Sequence, residues 1–173
     1  MNHNLAICLF GPSGTDATGL KEMCLALYGE NARYFESYVD TDSYRNLWLS
    51  SFKKRQFEIA NDLGFTVCLA INAGEKWNAE ILPILPVRLT ETLYFVKGGC
   101  VMSYGQTFIS PDAFFAESHL FDIACMFGLT RTILPINRKS KTIQEDFYHY
   151  LKSLKIKTEC INYENSSLFE RAT

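Results

Sequence analysis

A chain of 173 residues, 47% of them hydrophobic, carries enough apolar surface for one buried core. Its 17 basic and 19 acidic residues leave a formal charge of −2, which argues against a generic nucleic-acid binder, because no basic excess is present to neutralise phosphates. No apolar run approaches the ~18–20 residues of a membrane span, and residues 1–10, MNHNLAICLF, lack the basic start and small-residue cleavage site of a secretory signal. The expected setting is cytoplasmic.

Taken in chain order, LAICLF (5–10) is a continuous apolar run ending in Gly-Pro, as in a strand buried on both faces. Leu20, Met23, Cys24 and Leu27 then recur at helical spacing until Gly29. RYFESYV (33–39) reads as a second strand and 46–63 as a helix stopped by Gly64. FTVCLAIN (65–72) is a third strand, EKWNAEIL (75–82) a short helix before Pro83, and ETLYFVKG (91–98) a fourth strand. The stretch 99–118 carries no clear period. HLFDIACMFG (119–128) is expected to be helical, RTILPIN (131–137) an edge strand tolerating Pro135, and KTIQEDFYHYLKSL (141–154) the last helix. Strands alternating with helices predict one α/β domain over residues 1–173, with a mostly parallel, Rossmann-like sheet covered by helices on both faces and a polar tail from about residue 163. Ligands gather at the carboxyl ends of such strands. That directs attention to 11–18, 40–45, 72–76 and 98–105.

The six cysteines are scattered through mostly apolar surroundings and read as buried reduced thiols, and the three histidines show no metal spacing. No metal ligand set is assigned.

The segment after the first strand reads GPSGTDAT, residues 11–18. Gly11, Ser13, Gly14 and Thr15 fit the opening of a phosphate-binding loop, whose glycines let backbone N–H groups curl around phosphates at a helix N-terminus. Asp16 stands where the second glycine of that pattern belongs, Ala17 where its lysine belongs, and Thr18 at its hydroxyl position. A plain strand–turn–helix junction capped by Asp16 or Thr18 accounts for the same letters.

After the second strand comes DTDSYR, placing Asp40, Asp42 and Arg45 as D-x-D-x-x-R. Arg55, Glu58 and Ala60 follow on the next helix, then NDLGFTVCLAIN, and finally RTILPINRKSKTIQEDFYHYL. In this order the chain resembles the adenylylsulfate kinases, small P-loop kinases with a GLSGSGKST-like loop, a DGDxxR segment, an RR-x-x-E-x-A helix and a DAG turn. The resemblance spans residues 5–98 and, loosely, 131–154. It implies a P-loop kinase-like fold, with Ser13, Gly14, Thr15 and Thr18 around nucleotide phosphates and ATP with magnesium as the cofactor. It also implies that Asp42 is a base or metal partner and that Arg45 grips an anionic acceptor. Without the resemblance, Asp40 and Asp42 read as turn residues and Arg45 as a solvated ion pair.

The chain departs from that family where charge matters most. Ala17 replaces the loop lysine, Asp16 brings a negative charge, and no arginine occurs between Arg88 and Arg131 where a lid would supply one. Phosphoryl transfer depends on such cations. The leading expectation is therefore a kinase-like domain binding a small anion or nucleotide without ordinary ATP phosphotransfer. Nucleic acid and membrane are not expected as partners, and a homodimer is left open. A second expectation is a nucleoside- or nucleotide-processing glycosyl hydrolase or transferase on a Rossmann-like sheet, using Glu117. A third is a protein-interaction domain without catalysis, built on the aromatic-rich stretch 94–127. A pyrophosphatase-type ATP loop fits PSGTDA poorly.

Overall fold

The computed structural model describes residues 4–41, 43–60, 64–77, 91–96, 100–103, 106–109, 112–133 and 143–161. Its strands are β1 (Leu5–Pro12), β2 (Arg33–Val39), β3 (Val67–Asn72), β4 (Thr92–Val96), β5 (Cys100–Ser103), β6 (Gln106–Ile109), β7 (Ala113–Glu117) and β8 (Lys157–Ile161). The helices are α1 (Thr18–Tyr28), α2 (Tyr44–Ala60), α3 (Ser118–Ile133) and α4 (Ile143–Ser153).

Six strands form one sheet in the order β2-β1-β3-β7-β4-β8, and β5 and β6 form a separate hairpin. β1 runs parallel to β2 and β3, and β4 parallel to β8, while β7 is antiparallel to both neighbours. The sheet is therefore mostly parallel, with one reversed strand near its middle.

The unbroken apolar runs of β1 and β3 follow from burial on both faces, since successive side chains point to opposite sides. Ala6, Cys8, Phe10, Cys68, Ala70, Phe95 and Phe114 face the layer formed by α2, α3 and α4. Leu5, Ile7, Leu9, Val67, Leu69, Ile71 and Phe115 face α1. This is the expected three-layer arrangement.

The larger core is built from rings. Phe52 of α2 lies 5.1 Å from Phe147, 5.2 Å from Trp48 and 5.6 Å from Phe127, centroid to centroid. Phe114 stacks 5.3 Å from Phe121. Core packing thus takes up most of the aromatic-rich 94–127 stretch, since Tyr94, Phe95, Phe114, Phe115, Phe121 and Phe127 are all buried. Tyr104 and the side chain of Phe108 lie outside the described residues.

The structure corrects the expected fifth strand at 131–137. Arg131–Ile133 form the last turn of α3, and 134–137 lie outside the described residues. Packing of α3 on α2 overrides the β-branched residues Thr132 and Ile133, whose preference for strand is weak by comparison. Of the helix expected over 75–82, Glu75–Trp77 are not helical and follow a turn at Ala73–Gly74, and the remainder lies outside the described residues. The polar tail from 163 lies outside them as well.

One open edge of the sheet is β2. Lys54 of α2 donates to the Glu36 carbonyl at 3.3 Å, and Arg33 and Glu36 are exposed. Charges and a covered carbonyl are the usual means of blunting an edge strand.

Candidate functional site

Parallel strands bring their carboxyl ends to one edge of the sheet, and β7, being reversed, brings its amino end there. Three short segments meet on that edge: the loop after β1, the turn after β3 and the residue before β7.

Asn72, the last residue of β3, is only 3% exposed and holds them together. Its side-chain amide donates to Asp112 Oδ1 at 2.9 Å, and its side-chain carbonyl accepts the Gly74 N–H at 3.0 Å. Its backbone N–H donates to the Asp112 carbonyl at 2.7 Å, and its own carbonyl accepts the Trp77 indole N–H at 2.6 Å. Every polar group of this buried residue thus has a partner, as burial requires. The Ala73 N–H donates to the Phe10 carbonyl at 2.7 Å, which joins the turn to β1.

The β1 loop packs tightly against this turn. A Cβ on Gly74 would lie 2.9 Å from Pro12 Cδ, and one on Gly11 would lie 3.2 Å from the Gly74 nitrogen. At Gly74 only glycine allows so close an approach, and at Gly11 a side chain would force its neighbours to shift by a few tenths of an ångström.

The expected phosphate-contacting residues sit on the same edge, with several of their N–H groups already engaged. The Ser13 N–H donates to the Val39 carbonyl at 3.0 Å, and the Thr15 N–H to the Pro12 carbonyl at 3.2 Å. Gly14 has φ +85°, the left-handed turn that glycine favours. Asp16 accepts the Thr18 hydroxyl at 2.7 Å and the Thr18 N–H at 3.0 Å, so its carboxylate stands at the start of α1. Those two bonds hold the exposed Asp16 carboxyl below the usual range.

Asp42 lies outside the described residues. Arg45, in the first turn of α2, donates from Nη2 to Asp146 Oδ2 of α4 at 2.6 Å, and the Asp146 side chain is fully buried. Glu117 ends β7 on the opposite edge, where Val67, the first residue of β3, is its partner. There it lies 3.5 Å from His119. Nearby, burial pushes the Asp122 carboxyl up, and the charge of His119 opposes that shift. The structure therefore brings Gly11, Ser13, Gly14, Thr15, Thr18 and Arg45 to one edge and puts Glu117 on the other.

A shallow depression of about 240 Å³ lies on the outer side of α1 and β2, between Thr18, Lys21, Leu25 and Tyr34. Its Lys21 donates to Glu36 at 2.7 Å, and that bond first of all holds the Glu36 carboxyl low. Among the described residues, no three His, Cys, Asp or Glu side chains are placed to hold a metal ion, and no helix is long and apolar enough to cross a membrane.

Three residues of this edge went unrecognised in the sequence. Asn72 and Trp77 fall in or beside the flagged 72–76 segment, but nothing in their letters shows that one buried amide would organise it. Asp112 lies in the stretch without a readable period. A signal for Asp146 was present: it falls three residues after Ile143 and one before Phe147, on the apolar stripe of its own helix.

No protein-family model matches the sequence, and no curated protein matches it. Among solved structures, the fold resembles that of a glycosyltransferase involved in the glycosylation of the major capsid of PBCV-1, with TM-score 0.56 and 13% identity, covering 91% of this chain and 81% of that one. At that identity, the shared property is the α/β fold.

Proposed function

We propose that this chain is a transferase of the glycosyl class, holding an activated sugar donor at the carboxyl edge over Gly11, Asn72 and Gly74. The observation that carries this reading is the likeness to a glycosyltransferase fold over 91% of the chain. The edge supplies suitable parts. Gly11 and Gly74 let the β1 loop and the turn after β3 pack closely, which fixes the backbone of this edge. Asp112, bonded to Asn72, would act in this reading as the base that takes the proton of an attacking acceptor hydroxyl. In that reaction the acceptor oxygen bonds to the anomeric carbon, the bond from that carbon to the leaving phosphate oxygen breaks, and the hydroxyl proton passes to the carboxylate.

The phosphotransfer reading has less support from the geometry. It needs loop N–H groups and a helix N-terminus open to phosphate, and here Ser13, Thr15 and Thr18 have N–H partners while a carboxylate stands before α1. For the glycosyl reading the base moves from Glu117, on the far edge, to Asp112.

The test is calorimetric titration with a panel of sugar nucleotides, with magnesium–ATP as a control, followed by an assay for donor hydrolysis. Binding of one sugar nucleotide, weakened in Gly74→Ala, is the expected result. Binding of ATP but of no sugar nucleotide would return the phosphotransfer reading to first place. Silence from the whole panel would end both.

A further inference from the structure

Ser118 stitches the start of α3 to the amino end of β3. Its backbone N–H donates to the Thr66 carbonyl at 3.2 Å, its hydroxyl donates to the Phe65 carbonyl at 2.5 Å, and the Cys68 thiol donates to that hydroxyl at 3.7 Å. Asp122 stands four residues further along α3, and so on the same face. Its Oδ1 is buried without a hydrogen-bond partner. Nearly every buried polar atom in a folded protein has a partner. A carboxylate oxygen left without one carries a desolvation cost, which protonation of the group removes.

Groups from three elements surround that carboxyl. Cys68 of β3 faces it across the seam, and the Asp122 charge adds to the burial that raises its thiol. His119 lies three residues before Asp122 on α3, and Glu117, the last residue of β7, lies 3.5 Å from His119. Burial, the larger effect, raises the Asp122 carboxyl, and the charge of His119 lowers it. α2 and α4 also pack on α3. Among the described residues, Arg45 and Asp146 of these helices bond to each other, Lys54 reaches β2, and Lys152 and His149 lie against Tyr148. None of them, nor Glu145, enters the balance at Asp122.

We propose that the first two turns of α3 form a proton-operated latch, seated on β3 when Asp122 is protonated and loosened when its carboxylate is charged. The folded carboxyl lies above its unfolded value, so the folded state holds the proton more tightly. The penalty of the charge is therefore complete above the raised folded value, and it vanishes as pH falls to the unfolded one. Opening the seam returns the carboxylate to water, so the charged form favours local opening of this part of the helix. The inference stands on the α3–β3 seam, goes beyond the glycosyl reading and does not require it.

The experiment is hydrogen exchange read by mass spectrometry on the full chain, comparing wild type with Asp122→Asn at matched pH so that intrinsic exchange cancels. Asparagine stands in for the protonated acid. At about pH 8 the amides of the first turns of α3 should exchange at least about threefold faster in the wild type, and the ratio should fall towards one on acidification through the carboxylate range. α1, on the other face of the sheet, is the control and should exchange equally in both proteins. His119→Gln removes the opposing charge, so the pH at which α3 tightens should rise in that variant. If Asp122→Asn does not fold, this rise carries the test. A ratio that stays constant with pH, a ratio that grows on acidification, or an equal change in α1 overturns the proposal. So does a tightening pH that stays in place or falls in His119→Gln.

Discussion

Replacing Asn72 with alanine tests the joint on which the candidate site rests. The substitution removes a donor from Asp112 Oδ1 and an acceptor from the Gly74 N–H. An unsatisfied buried group costs about 1–3 kcal/mol. Gly74 is exposed, so water can take over its N–H at little cost, whereas Asp112 is half-buried and loses more. Adding the small void left at a residue 3% exposed brings the expected loss to about 2–4 kcal/mol. For a chain of this length that corresponds to a fall in melting temperature of about 5–12 °C. Urea denaturation should show a lower midpoint with an unchanged slope, because the surface exposed on unfolding stays the same. Asn72→Asp sharpens the test by setting two carboxylates against each other. One of them would have its folded pKa raised above the unfolded value, so the variant should be destabilised at neutral pH and recover as acid protonates the pair. A loss below about 0.5 kcal/mol for Asn72→Ala, or an Asn72→Asp penalty independent of pH, would refute the reasoning.

The remaining expectations test other parts of the structure. Phe52→Ala should cost about 3–5 kcal/mol by emptying the centre of the ring cluster, and a loss under about 1 kcal/mol by denaturant titration would contradict the packing described. Because the bonds from Thr18 lower the folded pKa of Asp16, its contribution is present above the unfolded pKa and lost as pH falls through the depressed folded value. The melting-temperature difference between wild type and Asp16→Asn should therefore shrink on acidification below the usual carboxylate range, and a constant difference would contradict the two bonds from Thr18. Burial pushes the Cys24 and Cys68 thiols up to about 12, so both should resist iodoacetamide at pH 8 in the native protein and react on unfolding. Rapid native labelling of either, located by mass spectrometry, would show that its strand or helix is not packed as described.

Much of the architecture was legible because it rests on the coarsest signals. The runs LAICLF and VCLAIN are apolar without alternation, which only a strand covered on both faces requires, and both proved buried throughout. The stop at Gly29 marked the end of α1. What failed was the region whose structure depends on remote partners. β7 is a five-residue strand whose place is decided by pairing with β4 and, across more than forty residues, with β3. Nothing local in AFFAE distinguishes that from the start of a helix. RTI misled in the opposite direction, since its β-branched residues suit a strand while the face that α3 presents to α2 holds them helical.

The stretch GPSGTDAT shows why the site was harder to read than the fold. Its glycines suggested a cradle for phosphate, yet each has a cause within the chain. A Cβ at Gly11 would press on the Gly74 nitrogen and the Thr15 hydroxyl, both 3.2 Å away. Gly14 is required by its φ of +85°. Close approach of two loops and close approach of a loop to phosphate demand the same residue, so glycine spacing alone cannot separate them. The charged residues can: a cradle needs a cation at its centre, and this loop has Ala17 there with the carboxylate of Asp16 bonded to the first turn of the helix.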